Sequence, residues 1–320
     1  MSITKKRVLK ALHFLIEYDT LVIFLIMVII SSTISDVFFT HTNISNLLRQ
    51  VSGIGIISMG MLLVILTGGI DLSVGSIVAL TSVLCGSFLL YMPVAIALIC
   101  SVIAGVAIGS FSGYLISVHR IAPFIATLAL MTISRGLGFI ISKGSPIILN
   151  TSGSALINFG SGYLLGIPYP VFLMFIVFIL VFIILKYTVF GRIIIAIGSN
   201  EEAVRLSGIK LKYYKFMVYC ITGGFAAIAG IISTSRTGVG SPIIGVGLEL
   251  DVIAAVVIGG ANLSGGKGSA VNTLLGVLIL GMIGNIMNLQ DIPAYPQQVI
   301  KGLIIIVAVL LQGLQTKKKL

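Results

Sequence analysis

Apolar residues along this chain come in long blocks, not in the short alternations of a strand or the one-sided stripe of a water-facing helix. Stretches free of Asp, Glu, Lys and Arg cover residues 51–70, 72–118, 144–185, 216–235 and 268–290. A helix needs about 20 apolar residues to cross a hydrocarbon layer roughly 30 Å thick. Backbone groups inside lipid must be satisfied internally, which leaves helices or closed barrels, and blocks of this length fit helices. The pattern predicts an all-α polytopic membrane protein of about ten transmembrane helices, at 21–39, 47–67, 74–91, 93–118, 122–142, 167–187, 214–235, 249–262, 268–288 and 296–313. The eighth is short for a full crossing and reads as a half-helix broken at Gly259-Gly260.

One phrase occurs twice, each time after an apolar run. Gly68-Gly69-Ile70-Asp71-Leu72-Ser73 is followed 191 positions later by Gly259-Gly260-Ala261-Asn262-Leu263-Ser264. Paired glycine interruptions at matching places in two halves of a membrane protein point to a pathway at the repeat interface. The phrases predict an internal repeat, with Gly68, Gly69, Asp71, Ser73, Gly259, Gly260, Asn262 and Ser264 as hinge or exit-gate residues. Asp71 and Asn262 are each placed to cap the helix that follows, and capping does not exclude lining a pore exit.

Composition narrows the class. Only 9% of residues are charged and 58% are hydrophobic, with a mean hydropathy of +1.18, far from the roughly 25% charge of a soluble domain. The net charge of +11 does not make a nucleic-acid face, because the cations flank spans. Lys5, Lys6, Arg7 and Lys10 precede the first; others lie between Lys186 and Lys215, and Lys317, Lys318 and Lys319 follow the last. With the N-terminus inside, an even span count puts the C-terminus inside too, and fifteen of the 20 basic residues then fall on that side. The N-terminal stretch reads as a retained signal anchor, since no small-residue cleavage site follows its apolar run. Cys85, Cys100 and Cys220 sit within apolar runs as packing residues. His13, His41 and His119 give no metal signature.

Between the sixth and seventh spans lies a punctuated helix. Asn200 is placed to cap it, Glu201 and Glu202 favour the positive end of its dipole, and Gly208 supplies a left-handed C-terminal position. Ala203, Val204 and Leu206 give it an apolar side. Two readings stay open: an interfacial helix lying on the membrane, and a docking helix for a soluble subunit, with Lys210, Lys212 and Lys215 holding the lipid boundary.

The run from Phe190 to Ile209 resembles the coupling loop of bacterial ABC importer permeases of the ribose and simple-sugar class. So do Thr67-Gly68-Gly69-Ile70-Asp71-Leu72-Ser73-Val74-Gly75, Ala122-Pro123-Phe124-Ile125-Ala126-Thr127-Leu128, Glu249-Leu250-Asp251-Val252-Ile253-Ala254-Ala255 and Val299-Ile300-Lys301-Gly302. The resemblance covers about residues 40–312. It implies that 1–320 is one transmembrane permease domain with a coupling loop at 188–213, in a bacterial inner membrane, multi-pass, with both termini cytoplasmic. It also implies three protein partners: a cytoplasmic ABC ATPase, an extracytoplasmic sugar-binding protein, and a second permease subunit in a homodimer or heterodimer. Contact with the ATPase then falls to Gly191, Arg192, Gly198, Asn200, Glu201, Ala203, Arg205 and Gly208. The chain departs from the family where Ala261-Asn262 stands for Thr-Ser and Asn272 for Gly.

Other polar residues have plainer roles open to them. Glu249 and Asp251 favour a helix N-terminus. Arg135 lies mid-span, to pair with an acid or to snorkel. Gly105, Gly109, Ser112 and Gly113 permit close helix packing, and Thr127, Ser134 and Asn285 are weak candidates for sugar contact. No Gly-x-x-x-x-Gly-Lys-Ser/Thr loop is present, so ATP hydrolysis belongs to a partner, and the chain is expected to be neither an enzyme nor a holder of a cofactor. The rival function is a secondary sugar transporter driven by an ion gradient. Such proteins bury several acids at midplane, and here the acids gather at span ends.

Overall fold

In the computed structural model, residues 19–149 and 151–317 are described. The basic cluster at Lys5–Lys10 and the lysines at 318 and 319 lie outside them. The helices are α1 (Asp19–Ile34), α2 (His41–Leu66), α3 (Val74–Phe88), α4 (Val94–Ser117), α5 (Pro123–Ser142), α6 (Ser154–Ser161), α7 (Tyr169–Tyr187), α8 (Val189–Ser199), α9 (Glu201–Leu206), α10 (Leu211–Thr237), α11 (Leu248–Ile258), α12 (Ala270–Leu289) and α13 (Ala294–Lys317). A helix stands in every predicted span. Six helices among the described residues are long and apolar enough to cross a membrane: α2, α4, α5, α7, α10 and α12. The first predicted span is shorter than its apolar run, because α1 stops at Ile34 and a turn occupies the next residues.

The all-α expectation needs one amendment. Two two-stranded antiparallel ladders stitch the connections at one end, β1 (Ile147–Ile148) with β4 (Val239–Gly240) and β2 (Tyr163–Leu164) with β3 (Ile167–Pro168). The first ties the α5–α7 connection to the end of α10, and the second is a hairpin within that connection. Arg49, near the start of α2, lies over the Tyr163 ring at 4.3 Å and donates to the Ser161 carbonyl.

The centre of the molecule is α2, whose residues from Gly55 to Leu66 are buried without a break. Beside it runs α10, which also packs on α4 and α3. Small residues set the spacing. A Cβ on Gly105 would meet the Gly223 carbonyl, one on Gly109 would meet Gly223 itself, and one on Gly113 would meet the Phe216 backbone. Glycine at every fourth position therefore lets α4 approach α10 backbone to backbone. By contrast α4, α5 and α7 turn Ile99, Ile103, Ile140 and Ile176 outward, all exposed. An apolar surface of this extent suits a lipid solvent, where it carries no hydration cost.

At one end α2 stops and α3 starts, α4 turns into α5, α8 and α9 lie between α7 and α10, and α11 hands over to α12. The ladders and the start of α2 form the other end. The helix in the eighth predicted span, α11, has 11 residues and ends just before Gly259-Gly260; its rise of about 16 Å is roughly half the thickness of a hydrocarbon layer.

Candidate functional site

The two glycine phrases, far apart in sequence, meet at the end that carries α8 and α9. Both follow the same helix stop. After α2, Gly68 adopts φ 77°, its amide donates to the Ile65 carbonyl at 2.8 Å, and the Gly69 amide donates to the Val64 carbonyl at 3.2 Å. After α11, Gly260 adopts φ 78°, its amide donates to the Val257 carbonyl at 2.8 Å, and the Ala261 amide donates to the Val256 carbonyl at 3.2 Å. Each is a Schellman motif, which requires a left-handed residue just past the helix.

The aligned phrases nevertheless divide the labour between their glycines in opposite ways. In the first, Gly68 supplies the left-handed turn and Gly69 supplies space, since a Cβ there would overlap the Tyr219 hydroxyl. In the second, Gly259 supplies space against the backbone of Asn272 and Thr273 and Gly260 supplies the turn. The helix stop is shifted by one residue relative to the sequence match.

Asp71 and Asn262 do not cap helices, against expectation. Asp71 accepts from the Ser73 amide at 2.9 Å and the Ser73 hydroxyl at 2.6 Å, and Asn262 accepts from the Ser264 amide at 3.0 Å. Both form local turns two residues long. The N-cap of α3 is Ser73, which makes no side-chain cap bond, and the cap of α12 is Ser269, whose hydroxyl accepts from the Asn272 amide. Seven residues of Gly-rich coil, 263–269, separate Asn262 from the helix it was expected to cap. Asp71 is fully buried and its second carboxylate oxygen has no hydrogen-bond partner among the described residues. The buried hydroxyl of Tyr219 is likewise unpartnered and lies within electrostatic reach of Asp71.

The predicted punctuated helix is two helices. Thr188 caps α8 by accepting from the Gly191 amide at 3.1 Å, and Asn200 ends α8 and caps α9 by accepting from the Ala203 amide at 2.9 Å. Glu202 pairs with Arg205 at 2.5 Å, Glu201 with Lys215 at 2.7 Å, and Gly208 takes φ 77°. The predicted apolar side of α9 is split: Val204 turns inward and is buried, whereas Ala203 is exposed and Leu206 is 78% exposed. Successive helical residues point about 100° apart, so 203 and 206 share a side that 204 does not. Arg192 is exposed, and Gly191 packs on the end of α7, where a Cβ would overlap the Ile184 carbonyl.

Glycines join this segment to both phrases. A Cβ on Gly198 would overlap the Leu66 carbonyl and the Gly266 amide, and one on Gly265 would meet Gly68 and Gly198. The Gly266 amide also donates to the Leu66 carbonyl at 3.1 Å. α8 is therefore seated directly on the stop of α2 and on the coil after α11. A cavity of about 390 Å³ opens there, lined by Gly68, Gly69, Gly198, Asn200, Tyr219 and Ser264, among others. Thr127 does not face it with a free hydroxyl: it is buried and bonds the Pro123 carbonyl of its own helix at 2.8 Å, while Pro123 does line the cavity.

A second polar locus was missed. The segment between α10 and α11 returns along α3, from Gly240 beside Ser82 and Gly86 to Gly245 beside Gly75. Arg135 of α5 holds it, donating to the carbonyls of Pro242 at 2.9 Å, Ile244 at 2.6 Å and Gly245 at 3.3 Å. Arg135 thus spends its hydrogen bonds on backbone, with Glu249, one of the two acids expected, within its electrostatic reach, and the other, Asp251, pairs with Lys301 at 2.8 Å. Glu249 sits against Gly75 at the start of α11. The signal in the sequence was Gly238, Gly240, Pro242, Gly245 and Gly247 within ten residues, too many for an ordinary surface turn. Asn285 is engaged too, in a reciprocal amide pair with Asn43 at 2.7 and 3.1 Å that joins α12 to α2. Ser134 is buried without a hydrogen-bond partner among the described residues.

Residues 43–309 match the family model described as the branched-chain amino acid transport system / permease component. The chain belongs to this permease family. It is 43% identical over 311 residues to the ribose import permease protein RbsC of Haemophilus influenzae, covering 96% of each chain. Its identity to the protein of the same name from Bacillus subtilis is 46% over 287 residues, 89% of each. The L-arabinose ABC transporter permease protein AraH of Azospirillum brasilense is 38% identical over 282 residues, 88% of this chain and 82% of that one. No solved structure matches the chain. The resemblance to ABC importer permeases of the ribose and simple-sugar class is upheld, and a permease component of such a system is not itself the ATPase.

Proposed function

We propose that this chain is the transmembrane subunit of an ATP-driven importer and forms the pore for a monosaccharide such as ribose. The family description names branched-chain amino acids, but relatives at 38–46% identity over most of the chain are named for sugars. A cytoplasmic ATPase docks on 188–213 and supplies ATP hydrolysis, an extracytoplasmic binding protein delivers the sugar, and a second permease subunit completes the pore. The chain crosses the bacterial inner membrane ten times with both termini inside, α11 and the segment before it together making one crossing.

The observation that carries this reading is the glycine seat of α8. Any displacement of α8 and α9 by a partner must be taken up at Leu66–Gly69 and at the coil around Gly265 and Gly266, because no side chain lies between them to yield. Schellman stops and short local turns are hinge-like elements that absorb such motion. Gly68, Gly69, Asp71 and Ser73 on one side, and Gly259, Gly260, Asn262 and Ser264 on the other, then act as paired hinges beside the exit, with Thr127 supporting the first turn of α5. Replacing residues 200–208 by a Gly/Ser linker of equal length is predicted to abolish co-purification of the ATPase while membrane insertion persists. Retained association sinks the docking assignment.

A further inference from the structure

We propose that the cleft between the α4–α5 turn, α9 and the start of α10 binds the phosphate headgroup of an anionic phospholipid. The cleft has a volume of about 850 Å³. Its acids are already matched, Glu201 by Lys215 and Glu202 by Arg205. Arg120, Lys210 and Lys212 also line it, are exposed, and have no acidic partner among the described residues. Three uncompensated cations from two separate segments converge on one opening, and the Arg120 guanidinium brings paired donors suited to phosphate oxygens.

The rest of the lining fixes what carries that phosphate. Beside the cations the lining is largely apolar, with Ile116, Ile121, Pro123 and Leu211 among it. Ile121 and Pro123 of this lining adjoin in sequence the exposed Phe124, Ile125 and Leu128 of α5. A soluble phosphate would use the cations alone, whereas an acyl chain also uses this apolar lining. Basic clefts between helices at a membrane surface recognise anionic headgroups in this way. Because α9 forms one wall, an occupied cleft ties the α4–α5 turn to the segment bearing Glu201 and Arg205.

The test is native mass spectrometry of the full-length chain purified in detergent, titrated with phosphatidylglycerol or with phosphatidylcholine of the same acyl chains. The wild-type chain is expected to retain phosphatidylglycerol in preference. Arg120→Gln, whose side chain is exposed, should weaken retention roughly fivefold, and the triple variant with Lys210→Gln and Lys212→Gln by a further similar factor per cation. A control removing Lys143, Lys186 and Arg192 should retain it. Equal retention of both lipids, or retention by the triple variant equal to wild type, overturns the proposal. Displacement of the lipid by excess inorganic phosphate would assign the cleft to a free phosphate instead, and loss of the lipid on adding the ATPase would assign it to the protein partner; either outcome also overturns it.

Discussion

Asp71 uses one carboxylate oxygen to hold a turn and leaves the other buried without a hydrogen-bond partner among the described residues. Removing the side chain therefore loses two hydrogen bonds to a charged acceptor, each worth about 1.5–3 kcal/mol, whereas an amide can make the same turn, as Asn262 does. We predict that Asp71→Ala lowers thermal stability in detergent by at least about 2 kcal/mol and that Asp71→Asn recovers most of it. If Asn is as damaging as Ala, the turn is not what Asp71 contributes. At this scale the sequence was informative where chemistry is local: the cap at Asn200 and the left-handed Gly208 are readable because their partners lie within a few residues. It misled at the twin phrases. Which glycine bends and which gives way depends on Tyr219 in one copy and on Asn272 and Thr273 in the other, and nothing in the matching letters of the phrases marks those neighbours.

Among the elements, the 238–247 segment lies along α3 and is held by the Arg135 guanidinium, with little secondary structure of its own. Irregular backbone among buried helices persists only when its polar groups are satisfied, and Arg135 satisfies three carbonyls at once. Arg135→Met should leave those carbonyls unpaired and raise amide hydrogen exchange across residues 240–247 by at least tenfold, roughly the loss of one charged hydrogen bond. Unchanged exchange in that segment would contradict the clamp. Hydrophobic blocks located a helix in every span, since the period of the pattern needs only the chain itself. They did not locate this clamp, because a mid-span arginine is compatible with an acid, with snorkelling or with carbonyls until the fold brings Pro242, Ile244 and Gly245 beside it. The split of α8 from α9 was hidden for a related reason: Asn200 serves as the end of one helix and the cap of the next, and the pattern registers only the second role.

For the whole molecule, a shell of α4, α5 and α7 with exposed apolar side chains packs around a buried α2–α10 centre, and both glycine phrases lie against α8, in the segment proposed to meet the ATPase. The proposed orientation, with both termini inside, rests on the distribution of charge. In a background lacking Cys85, Cys100 and Cys220, a cysteine replacing Lys143 should react with an impermeant maleimide in intact cells, and one replacing Lys212 only after permeabilisation. The reverse pattern would overturn the inside placement of the termini. Family and class were legible in the order of several motifs along most of the chain; the choice between partner-driven and gradient-driven transport rests on where the acids lie and on the glycine seat of α8. The most direct test of that choice is uptake of labelled ribose into proteoliposomes. The account predicts uptake only when the chain is reconstituted with its ATPase and binding protein and supplied with ATP. Uptake by the chain alone, driven by a proton or sodium gradient without ATP, would contradict it.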